Sequence, residues 1–240
     1  MKKLVTFGDS WFRGVGAHWT SETLKEEYEE HAFTDVADSH SFRTILCDRN
    51  NLVNVNFSDR GSSNQKQFRK ASEYFIRDAN IDNNSVVLWG LTSVFRTEVW
   101  HNKSKKYENL FLPSDYSKFS QMLAILHTDL QVEVERLYYQ IELFNTFFKH
   151  HSIKNYWVNI FNEHNFPKKV DNLLFDGVSL LSILIRDYEE NKAYHKSKWD
   201  DADRKITKAK EQKKVNPYTG HPGKDSHMQL ANLLEKEIKF

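Results

Sequence analysis

Residues 2–11 read KKLVTFGDSW, a short apolar strand that runs directly into Gly-Asp-Ser. Val5, Thr6 and Phe7 are β-formers, and Gly8 marks a sharp exit from the strand. A serine at the carboxyl end of a first strand lies where open α/β sheets gather their ligands. One residue there can supply a hydroxyl nucleophile and, through its own N–H, a donor to a developing oxyanion. Taken alone, the tripeptide is more often a plain strand-to-loop turn, so its weight depends on agreement elsewhere in the chain.

Working outward, four stretches read as buried parallel-type strands: residues 4–7, 52–56, 85–89 and 155–161. Helical patterns fill the intervals. Residues 62–78 carry Phe68, Ala71, Phe75 and Ile76 at helical spacing. Residues 117–151 carry a stripe of Phe119, Met122, Leu123, Leu126, Leu130, Leu137, Ile141, Phe144 and Phe148, and residues 226–239 carry Leu230, Leu233, Leu234 and Ile238. This alternation predicts a three-layer α/β/α domain of flavodoxin type around a mainly parallel sheet. Residues 20–41 are polar and predict a loop or short helix. Residues 165–216 are too long for a simple connection and predict an insertion, with 173–188 partly helical and the Lys- and Asp-rich run 196–214 a solvated helix.

The chain, 240 residues long, suits one domain spanning 1–240 with that insertion inside it. A formal charge of +1 offers no global attraction to nucleic acid or an anionic membrane. Cys47 is the sole cysteine, so no intrachain disulfide forms. The apolar run before Gly8 is too short for a signal peptide, and no run reaches the ~20 residues of a membrane span. The expectation is a cytoplasmic protein with no membrane partner, its oligomeric state open.

Three further segments agree with Ser10. Residues 54–64, NVNFSDRGSSN, follow the second strand and place Gly61 in a loop at the same sheet edge, where an N–H without a neighbouring Cβ can approach a substrate oxygen. Residues 86–95, VVLWGLTSVF, end the third strand in Gly90 and then offer Thr92 and Ser93. Residues 220–231, GHPGKDSHMQLA, set His221-Pro222 before the last helix. A nucleophile first and a general base last is a workable Ser–His arrangement.

Gly8-Asp9-Ser10, the 56–61 block with Gly61, Gly90-Leu91-Thr92-Ser93, and His221-Pro222 followed by Ser226-His227 and Ala231 together resemble the SGNH (GDSL-type) hydrolase superfamily of esterases and deacetylases. Gly61-Ser62-Ser63-Asn64 with Trp89-Gly90 is similar to members carried by large tailed phages. The resemblance implies a serine esterase without metal or organic cofactor, acting through an acyl-enzyme on a small acyl ester such as an O-acetyl carbohydrate. It implies Ser10 and His221 as catalytic residues, with Ser10, Gly61 and Thr92 as the oxyanion hole.

Two departures stand out. Thr92 occupies the place of the family's oxyanion asparagine with a shorter side chain, and losing such a donor costs roughly two to three orders of magnitude in rate. The family's aspartate precedes the histidine by two or three residues, where this chain has Thr219 and Tyr218. A backbone carbonyl or a carboxylate such as Asp176 or Asp200 is then expected to orient His221.

Around these, Asp9 reads as a turn acceptor, Asp225 as the cap of the last helix and His227 as a capping or packing residue. Asn64, Ser93 and Arg96 are candidate substrate-binding residues, with Asn64 equally a helix-start residue and Arg96 equally a surface ion pair. Trp11, Phe12 and Trp100 could wall a cleft, though core packing is commoner. His150, His151 and His164 match no metal-ligand spacing and read as surface histidines. The rival readings are an SGNH-like binding or structural protein with weak or lost catalysis, and a flavodoxin-like nucleotide binder. The latter is disfavoured because Gly14 and Gly16 come too late for a phosphate loop.

Overall fold

The computed structural model describes residues 1–111, 129–185 and 201–240. In chain order its strands are β1 (Lys3–Phe7), β2 (Val53–Asn56), β3 (Ser85–Leu91), β4 (Arg96–His101), β5 (Lys106–Phe111) and β6 (Lys154–Asn159). Four of them pair in parallel in the order β2-β1-β3-β6, while β4 and β5 form a separate antiparallel hairpin. The chain lays β2 on one side of β1 and then β3 on the other. This reversal opens a crevice at the carboxyl ends of β1 and β3.

Successive side chains of a strand point to opposite faces, and here both faces are apolar. Leu4, Val86, Leu88 and Val158 pack into one core with Phe12, Phe42, Leu46, Leu230 and Leu234, covered by the helices Phe42–Asn50 and Lys224–Glu237. Val5, Phe7, Val87, Trp89 and Trp157 pack into the other with Phe68, Phe75, Ile141, Phe144 and Phe148, under the helices Asn64–Ala71 and Leu130–His150. The result is an α/β/α sandwich. Across the second face Phe57, Phe7, Trp89 and Trp157 stack in a row at 5.2, 4.5 and 4.7 Å between ring centres, which stiffens the sheet end nearest the serine turn.

Several details differ from expectation. The polar residues 20–41 form short helices in line with expectation, two rather than one, Lys25–His31 and Asp35–Ser39. The helix from Asn64 continues as a π-helical stretch, Ser72–Arg77. The β4–β5 hairpin is not foreshadowed, because its strands mix polar and apolar residues on both faces; Arg69 ties it to the helix Asn64–Ala71 through two 2.8 Å bonds to Glu98. The last helix begins after Gly223 rather than being capped by Asp225, which lies in its first turn. A Cβ at 223 would sit 2.4 Å from the Trp19 ring, so the start is set by that close approach.

The charged run is also more than a solvated face. The helix Asp201–Glu211 buries Lys205 and Ala209, and Lys205 Nζ meets Glu163 at 2.7 Å. Hydroxyls of Ser179 and Ser182 donate to the same carboxylate, satisfying a buried charge that would otherwise be costly. Phe119, Met122, Leu123, Leu126, Trp199 and Asp200 lie outside the described residues. No helix among the described residues is long and apolar enough to cross a membrane.

Candidate active site

The turn after β1 is held from both ends. Asp9, with no solvent exposure, caps the helical turn Ser10–Arg13: its Oδ1 accepts the Trp11 N–H at 2.9 Å and its Oδ2 accepts from Arg96 Nη1 at 2.9 Å. Burial pushes this carboxyl above the usual range, and Arg96 opposes that push. At the far end Gly14 takes the left-handed conformation with φ 86°, and its N–H returns to the carbonyls of Ser10 and Trp11. The buried Arg43 donates to the carbonyls of Phe12 and Arg13. Ser10 is therefore presented on a rigid turn, half-buried, and among the described residues its hydroxyl has no hydrogen-bond partner.

The loop after β2 runs beside this turn, with the Phe57 N–H donating to the Thr6 carbonyl and the Asp59 N–H to the Gly8 carbonyl. It carries Gly61 with φ 60°, in open surroundings where an added Cβ would meet nothing within 4 Å. The N–H groups of Ser10 and Gly61 donate to no acceptor among the described residues. Two unspent backbone donors at one sheet edge are what an oxyanion requires.

At the end of β3 the expected residues divide. Thr92 is buried and its Oγ1 has no hydrogen-bond partner among the described residues. Asn64 is committed: its Oδ1 accepts the Thr92 N–H at 3.0 Å and its Nδ2 donates to the Thr92 carbonyl at 2.9 Å. These bonds fit the helix-start alternative for Asn64 and tie one end of the helix Asn64–Ala71 to the end of β3. Ser93 is likewise engaged, its Oγ accepting the Phe95 N–H at 3.2 Å. Arg96 keeps partial exposure beside Asp9, with its guanidinium 5.3 Å from the centre of the Phe161 ring.

His164 is half-buried rather than fully exposed. Its Nε2 lies 3.2 Å from the Thr92 carbonyl, and burial depresses it to about 4. Trp11 and Phe12 belong to the core, while Trp100 is exposed on the hairpin against Tyr107. His227 packs as expected: its ring stacks on Phe42 and its Nδ1 accepts the Phe42 N–H at 3.2 Å. Among the described residues no group of three or more His, Cys, Asp or Glu is placed to hold a metal ion.

His221 is oriented by a hydroxyl. Its Nδ1 lies 2.7 Å from Thr219 Oγ1, and that oxygen lies 2.5 Å from Tyr28 Oη and 3.1 Å from Asn216 Oδ1. Asn216 Nδ2 in turn donates to Tyr28 Oη at 3.3 Å and to the His221 carbonyl at 2.8 Å. Asp176, expected as a stand-in for the missing aspartate, makes no hydrogen bond to His221. It sits in a tight turn with φ 51°. Burial, then the charges of Arg96 and Arg60, lower His221 to about 4. Nothing among the described residues hydrogen-bonds Nε2.

No protein-family model matches this sequence, and no curated protein matches it. Solved structures with some likeness include a protein of the G-D-S-L family from Desulfitobacterium hafniense DCB-2, 10% identical over 99% of this chain and 100% of its own, with a TM-score of 0.45. Others are a carbohydrate esterase (11% identity, 98% of this chain, 67% of that one, TM-score 0.45) and an acetyl xylan esterase from the rumen bacterium Butyrivibrio proteoclasticus (12%, 98% and 64%, TM-score 0.45). Likeness at that level carries no weight for fold or chemistry. The fold rests on the strand order, and the chemistry on the side chains.

Tyr28 and Asn216 escaped the sequence reading. Thr219 carried one signal, a hydroxyl two residues before the histidine, but nothing local marks Tyr28 as its neighbour 191 residues away.

Proposed function

We propose that this protein is a serine hydrolase that cleaves a carboxylic ester through an acyl-enzyme. The observation that carries the reading is the pairing of two unspent groups at one sheet edge: the Ser10 hydroxyl on its pinned turn, and an imidazole whose Nδ1 is occupied while Nε2 is not. Arg96 links the two halves, bonded to Asp9 beside Ser10 and electrostatically felt by His221. Serine and histidine are not hydrogen-bonded to one another here, and such contacts commonly tighten only when substrate binds.

Ser10 Oγ attacks the ester carbonyl as its proton passes to His221 Nε2. The tetrahedral oxyanion is received by the N–H groups of Ser10 and Gly61. Collapse breaks the bond to the alkoxy group, which leaves as the alcohol with the proton returned by His221. Water then attacks the acyl-enzyme, giving its proton to His221, and the acid departs as Ser10 recovers its own. The imidazole is neutral at pH 7 and so available as a base, but among the described residues no carboxylate hydrogen-bonds His221, so turnover is expected to be slow.

For substrate we assign a small acyl ester on a hydroxyl-rich alcohol such as a carbohydrate. A cavity at the Gly14 end of the serine turn, lined by Val15, Ala32 and Phe33 as well as by Asp35, Asn56 and Ser58, offers donors and acceptors that suit hydroxyl groups, though Ser10 and His221 do not line it. The test is labelling with a fluorophosphonate probe in wild type, Ser10→Ala and His221→Ala. Labelling abolished in the first variant and strongly slowed in the second supports the assignment; a folded wild type that resists the probe would favour a binding protein.

A further inference from the structure

The Thr219 hydroxyl has a single proton, and the network around it determines where that proton goes. The Asn216 amide is oriented by two backbone groups: the Thr219 N–H donates to its Oδ1 at 2.7 Å, and the His221 carbonyl accepts from its Nδ2 at 2.8 Å. Oδ1 can therefore only accept, and the second hydrogen of Nδ2 points at Tyr28 Oη. Having accepted there, Tyr28 gives its own proton to the nearest oxygen, Thr219 Oγ1 at 2.5 Å. Thr219 passes its proton to Asn216 Oδ1 at 3.1 Å, closing a ring in which every donor has one acceptor. The remaining lone pair of Thr219 Oγ1 faces His221 Nδ1.

We propose that Asn216, Tyr28 and Thr219 form an uncharged orienting unit that holds His221 as the Nδ1–H tautomer and leaves Nε2 free to take the serine proton. It takes over the positioning part of an aspartate's task and omits the electrostatic part. These three are positioning residues, since none is argued to touch substrate. Their catalytic meaning rests on the hydrolase reading above, but the tautomer does not.

The surroundings permit this arrangement. The ionisable groups felt by His221 are Arg96 and Arg60, both cations, which disfavour an imidazolium and so favour a neutral ring whose tautomer matters. Tyr28 is fully buried, stacked on His18 at 5.6 Å and tilted against Tyr218 at 5.4 Å, so its hydroxyl is held toward Thr219 by packing. Thr219 itself is solvent-accessible at its edge, so replacing its hydroxyl does not open the core.

The experiment is nitrogen NMR of histidine-labelled protein at pH 7, in wild type, Thr219→Val, Thr219→Ser and Tyr28→Phe, with the His221 signal assigned by its loss in His221→Gln. Wild type and Thr219→Ser should show protonated Nδ1 and bare Nε2. Thr219→Val, isosteric and without the hydroxyl, should move toward the Nε2–H form and slow fluorophosphonate labelling by about 10²-fold, the low end of general-base contributions. Tyr28→Phe should give an intermediate mixture. A wild-type ring carrying its proton on Nε2, or a Thr219→Val tautomer ratio equal to wild type, overturns the proposal. If the tautomers behave as stated while no protein labels, the orienting unit stands and the hydrolase reading falls.

Discussion

Placing a carboxylate where the orienting hydroxyl now sits should move the pH dependence of the reaction by a calculable amount. In Thr219→Asp the new charge lies about 3–4 Å from His221 Nδ1, given the present 2.7 Å contact of the hydroxyl. At 4 Å and an effective dielectric of about 20 the attraction is about 4 kcal/mol, or roughly three pK units. The position is open to solvent, which screens the pair, and Asn216 Oδ1 beside it is a poor neighbour for an anion. A rise of about 1–2 units is therefore expected, lifting His221 from about 4 into the range of about 5–6. A general base must be unprotonated, so the rate falls as pH drops through its pKa. Wild-type kcat/KM on an aryl acetate should stay level down to about pH 5 and fall only near pH 4, whereas the variant should lose rate one to two units higher. Its plateau should also rise, because the imidazolium gains a counter-charge. Probe-labelling rates over pH 3.5–8 supply the same profile without assuming a substrate. An acidic limb near pH 6.5–7 in wild type, or one unmoved by Thr219→Asp, would refute the reasoning.

Three other outcomes follow from the geometry. Asn64→Ala leaves the buried Thr92 N–H without its side-chain partner and its carbonyl with His164 alone, and should cost about 1–3 kcal/mol in urea unfolding; a loss below about 0.5 kcal/mol would show the two bonds to be ornamental. Gly61→Ala should cost only about 1 kcal/mol for its positive φ, because the new methyl meets open space, whereas Gly90→Ala should cost clearly more because its Cβ would fall 2.4 Å from the Phe12 ring. Equal midpoints for the pair would count against this packing. Burial lowers His164 and His221 to about 4 and His227 to about 3. The unfolded chain, with ordinary histidines near 6.5, binds these protons first as pH falls, so stability should drop as pH falls from about 6.5 toward 4, and the kinetic profile is read only over the pH range in which circular dichroism shows the protein folded. Urea midpoints unchanged between pH 7 and 5 would contradict that burial.

The strands and their order of appearance were readable because a fully buried parallel strand announces itself as a short run of apolar and β-branched residues, as residues 4–7 and 86–89 are. The places of Ser10, Gly61 and His221 in the fold were readable because each follows a strand end or precedes a helix, whereas their roles belong to the proposal. The hairpin after β3 was not legible, since its alternation carries no clear apolar face. Nor was the burial of Lys205, whose partner Glu163 lies 42 residues away. That Asn64 and His164 both reach the backbone of Thr92 was not legible either, because no local spacing reports which backbone group lies opposite a side chain.

By itself, then, the sequence determined the layers, the two apolar faces of the sheet and the turn that bears Ser10, because these follow from side-chain periodicity and the conformational limits of a few residues. Only the tertiary structure decided what orients His221 and how basic it is. Hydrogen bonds reach about 3 Å and demand an angle, and desolvation depends on whatever closes over a group. Tyr28, Arg60 and Arg96 come from three distant parts of the chain, and they meet His221 and its Asn216–Thr219 turn only when the sandwich has closed.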